Sequence, residues 1–116
     1  WRPHAGNPVR TGFETSRPGG TPFRRDGHLY LPMQDCVATY GAAINLLRID
    51  RLTSEAFEAE AVKTMTPDGL LAGYGDGLHT LAGAGDVTLI DVKQIRSSWG
   101  EPILKLEHKL NRLLHR

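Results

Sequence analysis

A single cysteine, Cys36, is present in 116 residues. That excludes an internal disulfide and any zinc site built on cysteines. Between Asp35 and Val37, in strand-like surroundings, Cys36 reads as a buried structural thiol rather than a nucleophile. No apolar run approaches the ~20 residues needed to span a bilayer, and no signal-peptide pattern opens the chain. Net charge is only +1, too small to imply a polyanion partner, so nucleic acid is not expected. The phosphate loop, the dinucleotide fingerprint and the serine-centred nucleophile elbow are all missing. No second histidine stands at ligand spacing from His79, so neither a metal nor another cofactor is expected.

The composition is otherwise that of a soluble globular protein, 40% hydrophobic and 23% charged. At this length it is at most one compact domain. The chain begins with Trp1 rather than Met, which points to a processed product or a fragment. A free cysteine without a leader tilts the expected compartment slightly toward the cytoplasm.

Residues 1–22 concentrate Pro3, Pro8, Pro18 and Pro22 with Gly6, Gly12, Gly19 and Gly20. This is loop or extended chain lying on other structure, not helix. Phe23-Arg24-Arg25 and Leu29-Tyr30-Leu31 then flank Asp26-Gly27, the dipeptide best suited to a tight hairpin turn. Residues 40–49 predict a strand, with Ala42 and Ala43 letting a helix compete. Residues 52–58 read as a short helix capped by Thr53 or Ser54, or equally as a loop into a strand over 58–65. Thr66-Pro67-Asp68-Gly69 is a turn, and a last strand over 87–92 follows Gly85-Asp86.

The end of the chain changes character. Ile103, Leu106, Leu110, Leu113 and Leu114 recur at helical spacing, with Lys105, Lys109 and Arg112 outside. The segment reads as an amphipathic helix that packs on its own domain in preference to a partner or membrane; membrane contact is not expected. Short strands, Gly- and Pro-rich turns and few aromatics leave too little chain for an independent two-sheet sandwich.

Arg, Gln, Asp, Tyr and several glycines crowd into residues 16–41, too many hydrogen-bonding groups for a core. Ser16-Arg17-Pro18-Gly19-Gly20, Asp26-Gly27-His28-Leu29-Tyr30-Leu31-Pro32-Met33-Gln34-Asp35-Cys36, Tyr40-Gly41-Ala42-Ala43-Ile44 and Gly77-Leu78-His79-Thr80-Leu81 form a recognisable order. It resembles the β-propeller domain of glucosamine inositolphosphorylceramide transferase-like proteins, over roughly residues 1–91. Leu31 and Met33 depart from the Arg and Ala usual there. That domain is similar to the five-bladed propellers of some glycoside hydrolases. A blade is a four-stranded sheet, so this chain holds about two. The resemblance therefore implies a mainly-β fold: a partial propeller over residues 1–92, from the C-terminal part of such a domain, then a linker and helix over 93–116.

In sugar-binding propellers the ligand sits near the central axis, where amides and carboxylates meet hydroxyls and an Arg meets an anion. By that resemblance Arg17, Gln34, Asp35, Tyr40 and His79 are the candidate ligand-binding residues. Structural alternatives stand beside each: an Arg17–Asp35 pair locking blades together, Gln34 bonding backbone edges, and His79 as a hydrogen-bonded core residue. Tyr30 reads as core. Asp35, Asp76, Asp86 and Asp91 are the available acids, yet no pair of them suggests the two carboxylates that glycoside cleavage needs, so no catalytic residue is assigned.

The expectation is thus part of a carbohydrate- or glycolipid-binding propeller of a glycan-processing protein, whether transferase or hydrolase. Its partners would be the ligand and the remaining blades or a second copy. The alternative is a non-enzymatic module assembling through strand edges and the C-terminal helix. A third reading, weaker than both, makes that basic helix an anchor on an anionic surface.

Overall fold

The computed structural model describes residues 1–96. Seven strands follow in order: β1 (Arg17–Pro18), β2 (Phe23–Arg25), β3 (His28–Asp35), β4 (Ala43–Leu52), β5 (Phe57–Met65), β6 (Gly77–Ala84) and β7 (Val87–Lys93). Among the described residues there is no helix, and the helix expected over 101–115 lies outside them. The mainly-β expectation is met.

All strand pairing is antiparallel. The larger sheet runs β1-β3-β4-β5, with β2 sharing the β3 edge that β1 also uses. The second sheet is the β6-β7 hairpin alone. In place of two equal blades there is one sheet four strands wide and one two strands wide.

The Asp26-Gly27 turn forms as its chemistry requires. Phe23 pairs with Tyr30 and Arg25 with His28, leaving a two-residue loop. Both loop residues take positive φ, 49° and 78°, the signature of the type I′ turn that matches strand twist. Phe23 and Tyr30 stack at 5.4 Å, but Tyr30 is only half-buried and stands outside the core expected for it.

β4 begins at Ala43 because Gly41, at φ 61°, keeps the preceding residues in a loop. Residues 53–56 close a hairpin rather than start a helix. Thr53 N–H donates to Ala56 O, while Thr53 Oγ1 accepts the N–H groups of Glu55 and Ala56. The cap-like chemistry serves a loop, since Leu52 already pairs with Phe57.

The two faces of the large sheet do different things. Met33, Leu47 and Ile49 form the core of one face, with Leu29, Leu31, Phe57 and Ala59 packed against them. Their cover is not a second sheet but a strap of irregular chain. Ala5 N–H donates to Ser54 O, Arg10 Nη1 to Ala59 O, Asn45 Nδ2 to Glu14 O, and Cys36 N–H to Phe13 O. On the other face the β6 hairpin docks through buried Leu78, whose N–H donates to Ala42 O. Leu81 N–H donates to Gly19 O, and Gly20 bridges Leu81 directly. A Cβ on Gly20 would collide with the Leu81 carbonyl, so only glycine lets the two sheets approach this closely.

Candidate functional site

Three strands and one loop converge at the join between sheet and hairpin. Arg17 on β1 is the direct partner of Gln34 on β3, so both side chains leave the same face. Gln34 is buried, at 5% exposure, whereas Arg17 is exposed. Tyr40 comes from the loop between β3 and β4, and its ring lies 4.7 Å beneath the Arg17 guanidinium. That is cation–π distance, and it holds the Arg flat. Lys93 Nζ pins this loop by donating to Tyr40 O and Thr39 Oγ1.

His79 completes the group. Its ring sits 4.9 Å from that of Tyr40, and its Nε2 lies 3.4 Å from Gln34 Nε2. A β-bulge aims it there. Thr80 pairs with Asp91 and Leu78 with Val92, leaving His79 as the extra residue. Continued from Leu78–Val92, an unbroken ladder would set His79 opposite Asp91; the bulge instead gives Asp91 to Thr80 and leaves His79 next to that pair. With the bulge, His79 Nδ1 reaches Asp91 Oδ2 at 3.3 Å and Thr80 Oγ1 at 3.3 Å. Asp91 accepts from Nδ1–H in this arrangement, and Nε2 is left to accept from the Gln34 amide. Cys36 braces the same corner: it is half-buried, its Sγ accepts from Gly41 N–H and its thiol points to Gln34 Oε1 at 3.8 Å. It is less buried than expected, but it holds the loop.

Four of the five candidates therefore meet: Arg17, Gln34, Tyr40 and His79. Asp35 does not join them. The two-residue period of the strand sends it to the opposite face from Gln34, where Oδ2 accepts from Asn45 Nδ2 at 3.2 Å and Oδ1 from Val37 N–H at 3.0 Å. It shapes the turn into the Tyr40 loop. No Arg17–Asp35 ion pair forms among the described residues, so the blade-locking alternative is not realised. Asp91 is the residue sequence reasoning noted without placing, because a bulge leaves no mark in the residue pattern.

Beside these groups lies an open cleft of about 540 Å³, lined by Phe13, Ser16, Arg17, Pro18, Cys36 and Tyr40. It offers an aromatic face, a guanidinium fork and a hydroxyl, with no carboxylate in its lining. Such a set suits the apolar face and hydroxyl edge of a polyol ring, with an anion beside the Arg. Among the described residues no cluster of His, Cys, Asp and Glu is able to hold a metal ion.

Fold and cleft together define a mainly-β chain that presents an arginine, a tyrosine, an amide and a carboxylate-backed histidine at the seam of two sheets. The chain belongs to the family described as glucosamine inositolphosphorylceramide transferase 1, N-terminal, whose model matches residues 1–98. It is similar to glucosamine inositolphosphorylceramide transferase 1 of Oryza sativa subsp. indica, 38% identical over 60 residues. The protein of the same name from Arabidopsis thaliana is 39% identical over 59 residues. These alignments take in 50% and 49% of this chain but 8% of each relative, so the chain spans a small part of their length. The matched model is an N-terminal one, and it lends no support to the expected C-terminal placement. No solved structure matches the chain.

Proposed function

We propose that this chain supplies a carbohydrate- or glycolipid-binding surface to a glycan-processing protein, with Arg17, Gln34, Tyr40 and His79 facing the ligand. Asp35 acts from behind, by setting the loop that carries Tyr40. The observation that carries the reading is the meeting of these four side chains from β1, β3, the 36–42 loop and the bulge of β6. The names of the relatives support a substrate class with a glucosamine unit and an inositolphosphoryl headgroup. Arg17 suits the phosphoryl group and the Tyr40 ring suits a sugar or inositol face. Transfer chemistry belongs to the whole protein, because no carboxylate lines this cleft. The sheet and the hairpin are read as neighbouring parts of a five-bladed propeller that further chain would complete.

Titration of the chain with glucosamine and with inositol monophosphate, followed by NMR at the His79 ring, tests this. Inositol monophosphate is expected to bind, and Arg17→Ala and Tyr40→Ala each to weaken it by about tenfold, the equivalent of ~1.4 kcal/mol. If neither compound moves the His79 signals, or if both variants bind like the parent chain, the site is misassigned.

One observation favours a second reading, assembly through strand edges. Val87, Leu89 and Ile90 on β7 are exposed, and its outer edge has no partner strand among the described residues. The outer strand of the large sheet, β5, is defended by exposed Glu58, Glu60 and Lys63. An undefended edge receives another strand, from further chain or from a second copy.

A further inference from the structure

Phe13 lines the polar cleft with Ser16, Arg17 and Tyr40. It is 75% exposed, and no other aromatic ring stacks on it among the described residues. A lone exposed apolar residue is ordinary. This one differs in how firmly its backbone is held. Phe13 O accepts from Cys36 N–H at 2.8 Å, and Glu14 O from Asn45 Nδ2 at 3.0 Å. Buried Thr15 takes two bonds from Arg10 on its Oγ1, at 3.0 and 2.8 Å. Ser16 Oγ donates to Gly12 O, and Gly12 takes a φ of 102° that side chains disfavour. A bare ring on a segment tied at each successive residue suits a binding platform, because little loop entropy is left for a ligand to remove.

The neighbouring aromatic is less available. The Tyr40 ring already has the Arg17 guanidinium 4.7 Å from its centroid and the His79 ring 4.9 Å away. Those contacts hold Arg17 and His79, and they leave a ligand only the exposed half of Tyr40. The Phe13 ring has no such company and no hydroxyl, so its apolar face is undivided. Beside it, Ser16 Oγ has given its proton to Gly12 O and can only accept from a ligand. Platform, acceptor and cation thus follow one another within five residues, 13 to 17.

We infer that Phe13 is the stacking platform of this cleft. It takes the C–H face of a saturated ring, Ser16 accepts from one ring hydroxyl, and Arg17 meets an anion carried by the ring. The inference deepens the proposed reading of the cleft and rests on it for the anion. Stacking needs a ring face free of axial hydroxyls, which would put oxygen where the phenyl meets C–H. An open chain with the same anion has no face to offer.

The test is a titration of the full chain followed by NMR of its phenylalanine rings. Phe23 and Phe57 line other parts of the surface and serve as controls. Inositol monophosphate is expected to shift the Phe13 ring signals and to leave both controls in place. Phe13→Ala should weaken it by about fivefold or more. The same variant should bind glycerol phosphate, an anion without a ring, as the parent chain does, whereas Arg17→Ala should weaken both. The ring is exposed and its residue is tied through the main chain, so Phe13→Ala should keep the parent melting temperature. The inference is overturned if Phe13→Ala binds inositol monophosphate like the parent, or loses glycerol phosphate equally. It also falls if the melting temperature drops by several degrees, which would make Phe13 a packing residue. Methyl β-glucoside, a neutral ring with equatorial hydroxyls, separates the two readings. A Phe13 shift with the glucoside while neither phosphate binds would remove the anion assignment and leave the platform. Phosphates that bind with Phe13 unmoved would remove the platform and leave the anion site, and Phe13 unmoved by all three probes overturns the inference as well.

Discussion

His79 has its ring fixed from three sides: Asp91 at Nδ1, Gln34 at Nε2, and the Tyr40 ring against its face. Gly41 makes the third contact possible. Its φ of 61° strains any other residue, and a Cβ there would fall 2.6 Å from His79 Cδ2. Gly41→Ala is therefore expected to cost about 1–3 kcal/mol through backbone strain and overpacking. It should also displace the His79 ring, seen as altered ring-proton shifts in the folded variant. Unchanged shifts with a native melting temperature would mean that the ring is not held by this contact. Asn45 has the same holding role on the other face. Nearly buried, it donates to Glu14 O and Asp35 Oδ2 and accepts from Thr64 Oγ1 at 2.6 Å, tying strap, β3 and β5 through one side chain.

Among the elements, β4 and β5 are joined by a ladder with two irregularities, one between Leu46 and Leu47 and one between Ile49 and Arg51. The second leaves Asp50 as the extra residue, and Arg48 Nε donates to it at 2.7 Å while Nη2 reaches Glu60 at 2.9 Å. The Arg48 hydrogen bond outweighs desolvation and holds the Asp50 carboxyl below its ordinary range; the same bond raises the Arg48 guanidinium. A carboxyl lowered by folding stabilises the fold at any pH above its unfolded value. That contribution fades as pH falls through the lower folded value. Asp50→Asn is expected to lower stability slightly throughout the neutral and alkaline range and to flatten the acid side of the curve, where the parent chain loses the same contribution. Urea midpoints between pH 2 and 7 would show it, and the effect is small because both groups are solvent-exposed. An acid limb identical to that of the parent chain would show the pair to be energetically silent. Much of this level was legible beforehand. Asp26-Gly27 carries its own backbone requirement, so β2 and the start of β3 follow from local chemistry. The strands expected over 58–65 and 87–92 appear between their turns, each one residue longer. The start of β4 and the 53–56 loop were not legible, because alanines and cap-forming residues serve helix and loop alike until a partner strand selects one.

For the molecule as a whole, the two sheets share little interface, and the hairpin exposes Val87, Leu89 and Ile90 beside an unpaired edge. A two-stranded sheet is marginal by itself. If strand edges assemble this protein, light scattering should give a mass above that of one chain. Leu89→Lys should return it to the monomer mass without changing inositol monophosphate binding. A monomeric parent chain with a cooperative melt would sink that assembly and show a self-sufficient small domain.

Turn chemistry, strand alternation and the run of residues from Ser16 to Gly41 were enough for the sequence by itself to determine a mainly-β chain, its tight hairpin and its family. These depend on neighbours within a few positions, or on residue order alone. Tertiary structure decided the rest. Gln34 and Asp35 are adjacent in the chain, yet the pleat puts them on opposite faces, and only pairing with β1 shows which face carries Arg17. His79 meets Asp91 because β7 returns beside β6, with a bulge that leaves Asp91 opposite Thr80 and next to His79. The apolar face of the large sheet is closed by a strap of irregular chain rather than by a second sheet. Each is a matter of register or of packing between distant segments, which are set by the whole fold and not by local residue preference.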